Sequence, residues 1–124
     1  MARKLDSDLI RGVGPAAVLK LLSRTDMYGY ELVEALSRQS GGVLALGQST
    51  LYPMLYNLEA KALVEGYWKE AAGETSRDRK YYRITTKGSR QLASESEQLE
   101  RVVQAARAIG LVTNFVKGNQ EVLA

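Results

Sequence analysis

QSTLYPMLYNL, residues 48–58, contains no charged side chain, carries Pro53 at its centre and sets two tyrosines and an asparagine among its leucines. Leu51, Leu55, Leu58 and then Ala62 recur at steps of four, three and four, which aligns them on one face of a helix. Ser49, Tyr52, Tyr56 and Asn57 fall largely on the other side and offer hydroxyl and amide groups there. Pro53 has no N–H to give, so it suits a first turn and becomes costly further in. The helix is therefore expected to begin close to Ser49 or Thr50, or to kink near Tyr52. Its start presents free backbone N–H groups of the kind that receive phosphate.

Upstream, TDMYGYELVEALSRQS (25–40) is predicted to be a helix capped by Thr25 or Asp26, with Tyr28, Leu32, Ala35 and Leu36 turned inward. PAAVLKLLSR (15–24) opens on Pro15, a favoured first helical residue, and LDSDLIRG before it either extends that helix or forms an arm. GGVLALG (41–47) breaks the periodicity, and its centre suits a very short strand or a turn. Downstream, VEGYWKE (64–70) and KYYRIT (80–85) are rich in aromatic and β-branched residues and are predicted to pair as a hairpin.

From Thr86, the segment 86–112 has the pattern of one long helix. Leu92, Leu99 and Ala106 stand seven residues apart, and Val103 lies four after Leu99. Ser96 interrupts this a/d-like seam and Gly110 limits its far end. The last residues, NFVKGNQEVLA, are expected to be a frayed tail.

At 124 residues, 45% hydrophobic and 25% charged, the chain has the length and composition of one globular domain. It has neither cysteine nor histidine. That excludes disulfides, thiolate nucleophiles and the usual zinc ligand sets, and leaves no recognisable activated nucleophile. No enzyme activity, cofactor or metal is expected. The opening residues lack the apolar core of a secretion signal, and no run of about 18 apolar residues occurs, so a cytoplasmic location without membrane association is expected. The net charge of +3 is modest but unevenly placed. Between positions 77 and 87, Arg77, Arg79, Lys80, Arg83 and Lys87 stand against Asp78 alone, whereas Glu95, Glu97 and Glu100 cluster farther on.

Three short helices, a hairpin and a further helix match a winged helix-turn-helix: a mainly α fold with a β-hairpin, followed by a C-terminal dimerisation helix. Residues 1–88 are read as the DNA-binding domain and 89–124 as the dimerisation helix and tail. In this architecture one helix enters the major groove and the hairpin reaches toward the backbone or minor groove. Ser49, Thr50, Tyr52, Tyr56 and Asn57 are the candidate contacts on the helix, with Arg77, Arg79 and Lys80 on the wing. The missing charge at 48–58 is then tolerable, because the helix reads bases while the wing supplies cations. Taken singly, Tyr52 and Tyr56 also suit semi-buried packing, and Tyr67 and Trp68 suit covering a core.

MYGYEL at 27–32, STLYPMLYNLE at 49–59, RKYYRIT at 79–85 and TKG at 86–88, in that order and spacing, resemble the PadR family of transcriptional regulators over roughly residues 10–110. The short single-helix tail is similar to the smaller PadR subgroup. The resemblance implies a winged helix domain, a C-terminal dimerisation helix and repression of nearby genes. It gives Tyr30 a scaffold role, places Ser49, Thr50, Tyr52 and Asn57 near DNA and Arg79 and Lys80 at the wing, and makes Tyr81 and Tyr82 supports of that wing. The chain departs from the family pattern at Gln48-Ser49, where Pro-Gly is common, and at Ala62, where glycine is usual. It also has Leu99 near the place of the tryptophan that lines the drug cavity of multidrug-type members.

The expected function is sequence-specific binding of double-stranded operator DNA by a homodimeric repressor, with Leu92, Leu99, Val103 and Ala106 forming the dimer seam. If a small-molecule effector acts on it, a pocket near Trp68, Leu99 and Val103 is the expected location, although ordinary burial explains each residue separately. The alternative is a winged helix adaptor whose aromatic and basic wing binds protein. Steep salt dependence separates DNA binding from that alternative.

Overall fold

Asp6 opens the fold: its carboxylate accepts the Asp8 backbone N–H at 2.8 Å, and helix α1 (Ser7–Leu22) starts there. The computed structural model describes residues 5–70 and 78–113. Pro15 is therefore an interior residue of α1 and not its first. A side-chain cap upstream carries the helix past a proline that withholds one N–H.

Met27–Tyr28 form a two-residue strand, β1, ahead of helix α2 (Gly29–Gln39). The cap expected of Thr25 or Asp26 is absent from their side chains; Glu31 reaches back instead and accepts the Tyr28 N–H at 3.2 Å. Asp26 is engaged elsewhere, as an acceptor for the Tyr67 hydroxyl at 2.6 Å. After α2 the chain turns at positions 40–44, where Gly41 and Gly42 both have positive φ, so the GGVLALG stretch makes a turn and no strand. Helix α3 (Gln48–Ala60) starts after Gly47, which puts Pro53 in its second turn.

Strands β2 (Val64–Lys69) and β3 (Arg79–Ile84) pair antiparallel, and β1 pairs with the other edge of β3, giving the order β1-β3-β2. The register sets Met27 against Tyr82 and Tyr28 against Tyr81. The hairpin is thus part of a three-stranded sheet whose third strand lies just before α2. Three helices with this sheet match the winged helix-turn-helix topology.

The core takes its residues from every one of these elements. Val18, Leu19 and Leu22 come from α1, Leu32, Ala35 and Leu36 from α2, and Val64 and Tyr82 from the sheet. The stripe read from the sequence lies among them, with Leu51, Leu55 and Leu58 exposed by only 0%, 1% and 5%. Burying side chains of this size contributes roughly 1.5–3 kcal/mol each, so the stripe holds α3 at a fixed rotation and decides which of its residues face water.

Helix α4 (Thr86–Ala108) is capped by Thr85, whose hydroxyl oxygen accepts the Gly88 N–H at 2.9 Å and donates to the Ala62 carbonyl at 2.7 Å. The helix stops at Ala108, short of the Val112 expected from its composition. Gly110 has a φ of 79°, and the Leu111 N–H turns back onto the Ala106 carbonyl at 2.9 Å, which closes the last turn. The chain divides between Leu92 and Ala93 into two compact units. Leu92 belongs to the first and packs partly against its core. Leu99, Val103 and Ala106 belong to the second, where Leu99 and Val102 are exposed.

Candidate nucleic-acid interface

With the leucines of α3 inward, Ser49, Thr50, Tyr52, Tyr56 and Asn57 all reach solvent. Tyr56 is the most open of the tyrosines at 74%. Tyr52 is different, because its ring lies flat against the first residue of α2. A Cβ at Gly29 would stand 2.7 Å from Tyr52 Cε1, closer than carbon atoms approach, so the two helices of the helix-turn-helix meet here without an intervening side chain.

The alternation of the wing sorts its residues onto two faces. Glu65 opposes Arg83, Tyr67 opposes Tyr81 and Lys69 opposes Arg79 on the outer face; Gly66 opposes Tyr82 and Trp68 opposes Lys80 on the other. The outer face is a ladder of rings and cations. Tyr81 stacks on Tyr67 with centroids 5.9 Å apart and meets Tyr28 edge-on at 5.3 Å. Arg79 lies 4.9 Å over the Tyr28 ring, Lys69 5.0 Å over Tyr81 and Arg83 4.4 Å over Tyr67. Arg83 also sits 3.7 Å from the Asp26 carboxylate. The hydrogen bond to Asp26 holds the Tyr67 phenol above the ordinary tyrosine range, and the Tyr67 contact likewise raises Arg83.

On the inner face Tyr82 is 7% exposed, and burial raises its phenol. Tyr28, Tyr52, Trp68, Arg79, Lys80 and Tyr82 line a recess of about 340 Å³ between the start of α2, α3 and the wing. Trp68, 70% exposed, stands at this recess within the first unit. Among the predicted scaffold tyrosines, Tyr81 and Tyr82 support the wing from its two faces. Tyr30 is 52% exposed and bonds within its own helix to Glu34 at 3.2 Å. Tyr28 makes the tertiary contacts instead. Arg77 lies outside the described residues.

The predicted cations part company. Arg79 is exposed on the outer face, whereas Lys80 turns inward to the Glu59 carboxylate at 3.2 Å. Sequence reasoning missed Glu59, Asp26 and the close contact at Gly29. A glycine interrupting a helical pattern or a strand, as at Gly29 and Gly66, is the signal that marks such approaches.

Residues 18–94 match the family described as transcriptional regulator PadR-like. The chain belongs to the PadR-like family. An uncharacterized protein X of Lysinibacillus sphaericus is 31% identical over 112 residues, which cover 90% of this chain and 95% of that one. The structure of a PadR family regulator from Eggerthella lenta has 33% identity and a TM-score of 0.71, covering 86% of this PadR-like chain and 88% of its own. A transcriptional regulator from Clostridium thermocellum reaches a TM-score of 0.74 at 28% identity, covering 83% and 98%. Membership makes this chain a transcriptional regulator and not an enzyme. Among the described residues no group of three or more acidic side chains could hold a metal, and no helix is long and apolar enough to cross a membrane.

Proposed function

We propose that this PadR-like chain is a repressor that binds a specific double-stranded DNA operator, with α3 in the major groove and the wing against the backbone. The carrying observation is the division of α3: three leucines are shut in the core while Ser49, Thr50, Tyr52, Tyr56 and Asn57 are turned out together. Asn57 supplies the amide that pairs with an adenine edge, and the hydroxyls reach bases or phosphates. Arg79 supplies cationic anchoring from the wing.

A second copy completes the site. One α3 reads one half-site, and two-fold symmetry lets a palindromic operator be read twice, with recognition helices about 34–36 Å apart or a larger helical multiple. Leu99, Val103 and Ala106 on the second unit supply the seam. An effector, if one acts, is proposed to bind near Trp68, Leu99 and Val103.

Selection from a random duplex pool, followed by competition with a shuffled duplex at the same salt, tests this function. A specific site is expected to bind at least about a thousandfold more tightly than the shuffled one. Equal affinity for both would sink the proposal and favour the adaptor alternative.

A further inference from the structure

Lys80 belongs to the cationic wing, yet it is placed unlike its neighbours. Its side chain crosses the inner face of the sheet toward α3, where Nζ meets Glu59 Oε1 at 3.2 Å and lies 5.4 Å from the centre of the Tyr82 ring. The second oxygen of Glu59 accepts the Gly66 N–H at 3.3 Å. One carboxylate near the end of α3 therefore holds both strands of the wing, β2 through a backbone donor and β3 through a cation. Gly66 leaves room for this arrangement, because a Cβ there would collide with the Lys80 stem and stand 3.1 Å from Glu59 Oε2. Three independent features converge: the ion pair, the backbone bond to the same carboxylate and the missing side chain between them. The pair is also sheltered, with side-chain exposures of 34% and 36%. Arg79 and Lys69, one residue to either side of the Trp68–Lys80 pair, lie on the opposite face and leave Glu59 to Lys80.

We propose that Glu59 is a positioning residue of the DNA interface: it holds Lys80 between α3 and the wing, so that this cation fixes the wing relative to the recognition helix and does not neutralise a phosphate. The inference rests on α3 and the wing forming the DNA interface. Arg79, one residue earlier and on the other face, is the phosphate-seeking cation. The wing cations thus divide into one that binds and one that aims.

The test measures operator affinity against salt concentration for the full chain and for Arg79→Met, Lys80→Met, Glu59→Ala and the Glu59→Ala/Lys80→Met double variant. Methionine keeps the stem of each cation and removes its charge. Arg79→Met is expected to make the log–log salt slope shallower by roughly 0.9, the value of one phosphate contact. Lys80→Met is expected to leave the slope unchanged and to lower the preference for operator over shuffled DNA by about two- to fivefold, the scale of a half-exposed ion pair. Glu59→Ala should lower that preference equally, and the double variant should be no worse than either single one. A Lys80→Met slope as shallow as that of Arg79→Met would overturn the proposal, as would additive losses in the double variant. Should Glu59→Ala fail to fold, Glu59→Gln, which keeps an acceptor for Gly66, replaces it in the same cycle. If instead Arg79→Met leaves the slope untouched and Asn57→Ala leaves the preference untouched, it is the assignment of the DNA interface that fails.

Discussion

Tyr52 of α3 lies directly on Gly29, the first residue of α2, with its ring occupying the space of a side chain that Gly29 does not have. Gly29→Ala must push the phenol aside or part the two helices, at a cost of about 1–3 kcal/mol for overpacking. Removing the ring as well, in Gly29→Ala/Tyr52→Ala, should recover much of the loss. Urea unfolding of the single and double variants measures the coupling; strictly additive losses would contradict the contact.

Ala62 is a residue other than glycine with positive φ, at 61°, in the turn between α3 and β2. The left-handed conformation costs an alanine about 1 kcal/mol that glycine does not pay. Ala62→Gly is therefore expected to raise stability by up to that amount, although greater freedom in the unfolded chain offsets part of it. A fall in the unfolding midpoint would show that the turn is not strained.

Asn57 and Arg79 should fail differently. Asn57→Ala is expected to cost about 1–3 kcal/mol against the operator and little against shuffled DNA, since it removes a base-edge contact. Arg79→Ala should weaken both duplexes alike. Fluorescence anisotropy with both probes at one salt concentration separates the two patterns, and an equal loss on both probes for Asn57→Ala would remove it from base recognition.

For the dimer, Leu99→Glu with Val103→Glu places charge on the proposed seam. Each uncompensated charge in an apolar contact costs several kcal/mol, so the dimer dissociation constant should rise by at least roughly a hundredfold. Sedimentation equilibrium reads this directly. A wild-type chain that is monomeric at micromolar concentration and binds its operator as a monomer would rule the seam out.

Stability should fall in alkali. Tyr30 beside Glu34, Tyr67 bonded to Asp26 and Tyr82 by burial all have phenols raised above the model-peptide value of 10.0. The folded chain thus holds these protons more tightly than the unfolded one. The contribution is complete below about pH 10 and is lost as pH rises through the folded values. Thermal unfolding followed across that range should show a falling midpoint, and Tyr67→Phe should flatten the fall.

The inward side of the fold was the most legible part of the sequence. Leucine spacing at 51, 55 and 58 fixed which face of α3 is buried, because helical period and burial are two expressions of one constraint. The hairpin was legible for the same reason, through Tyr67, Tyr81 and Tyr82. Helix starts were less so: a favoured first-turn residue at Pro15 lost to the cap at Asp6, and the caps expected at Thr25 and Asp26 lost to Glu31. Strand β1 was invisible, since two residues are too few for any period and their pairing partner is some fifty positions away. At the candidate site, exposure on α3 followed from the stripe, but the fates of Arg79 and Lys80 depended on strand alternation and on Glu59, which composition alone does not connect to them.

That remote pairing also sets a clock. Met27 and Tyr28 wait for Tyr81 and Tyr82, so during synthesis the sheet cannot close until almost two thirds of the chain has left the ribosome. Until then the leucine faces of α1, α2 and α3 have each other but lack Val64 and Tyr82 as a floor. Contacts of such sequence separation slow folding and prolong the exposure of apolar surface. Nascent chains arrested before β3 emerges should accordingly be cut readily by protease, and chains arrested well beyond Ile84 should resist it.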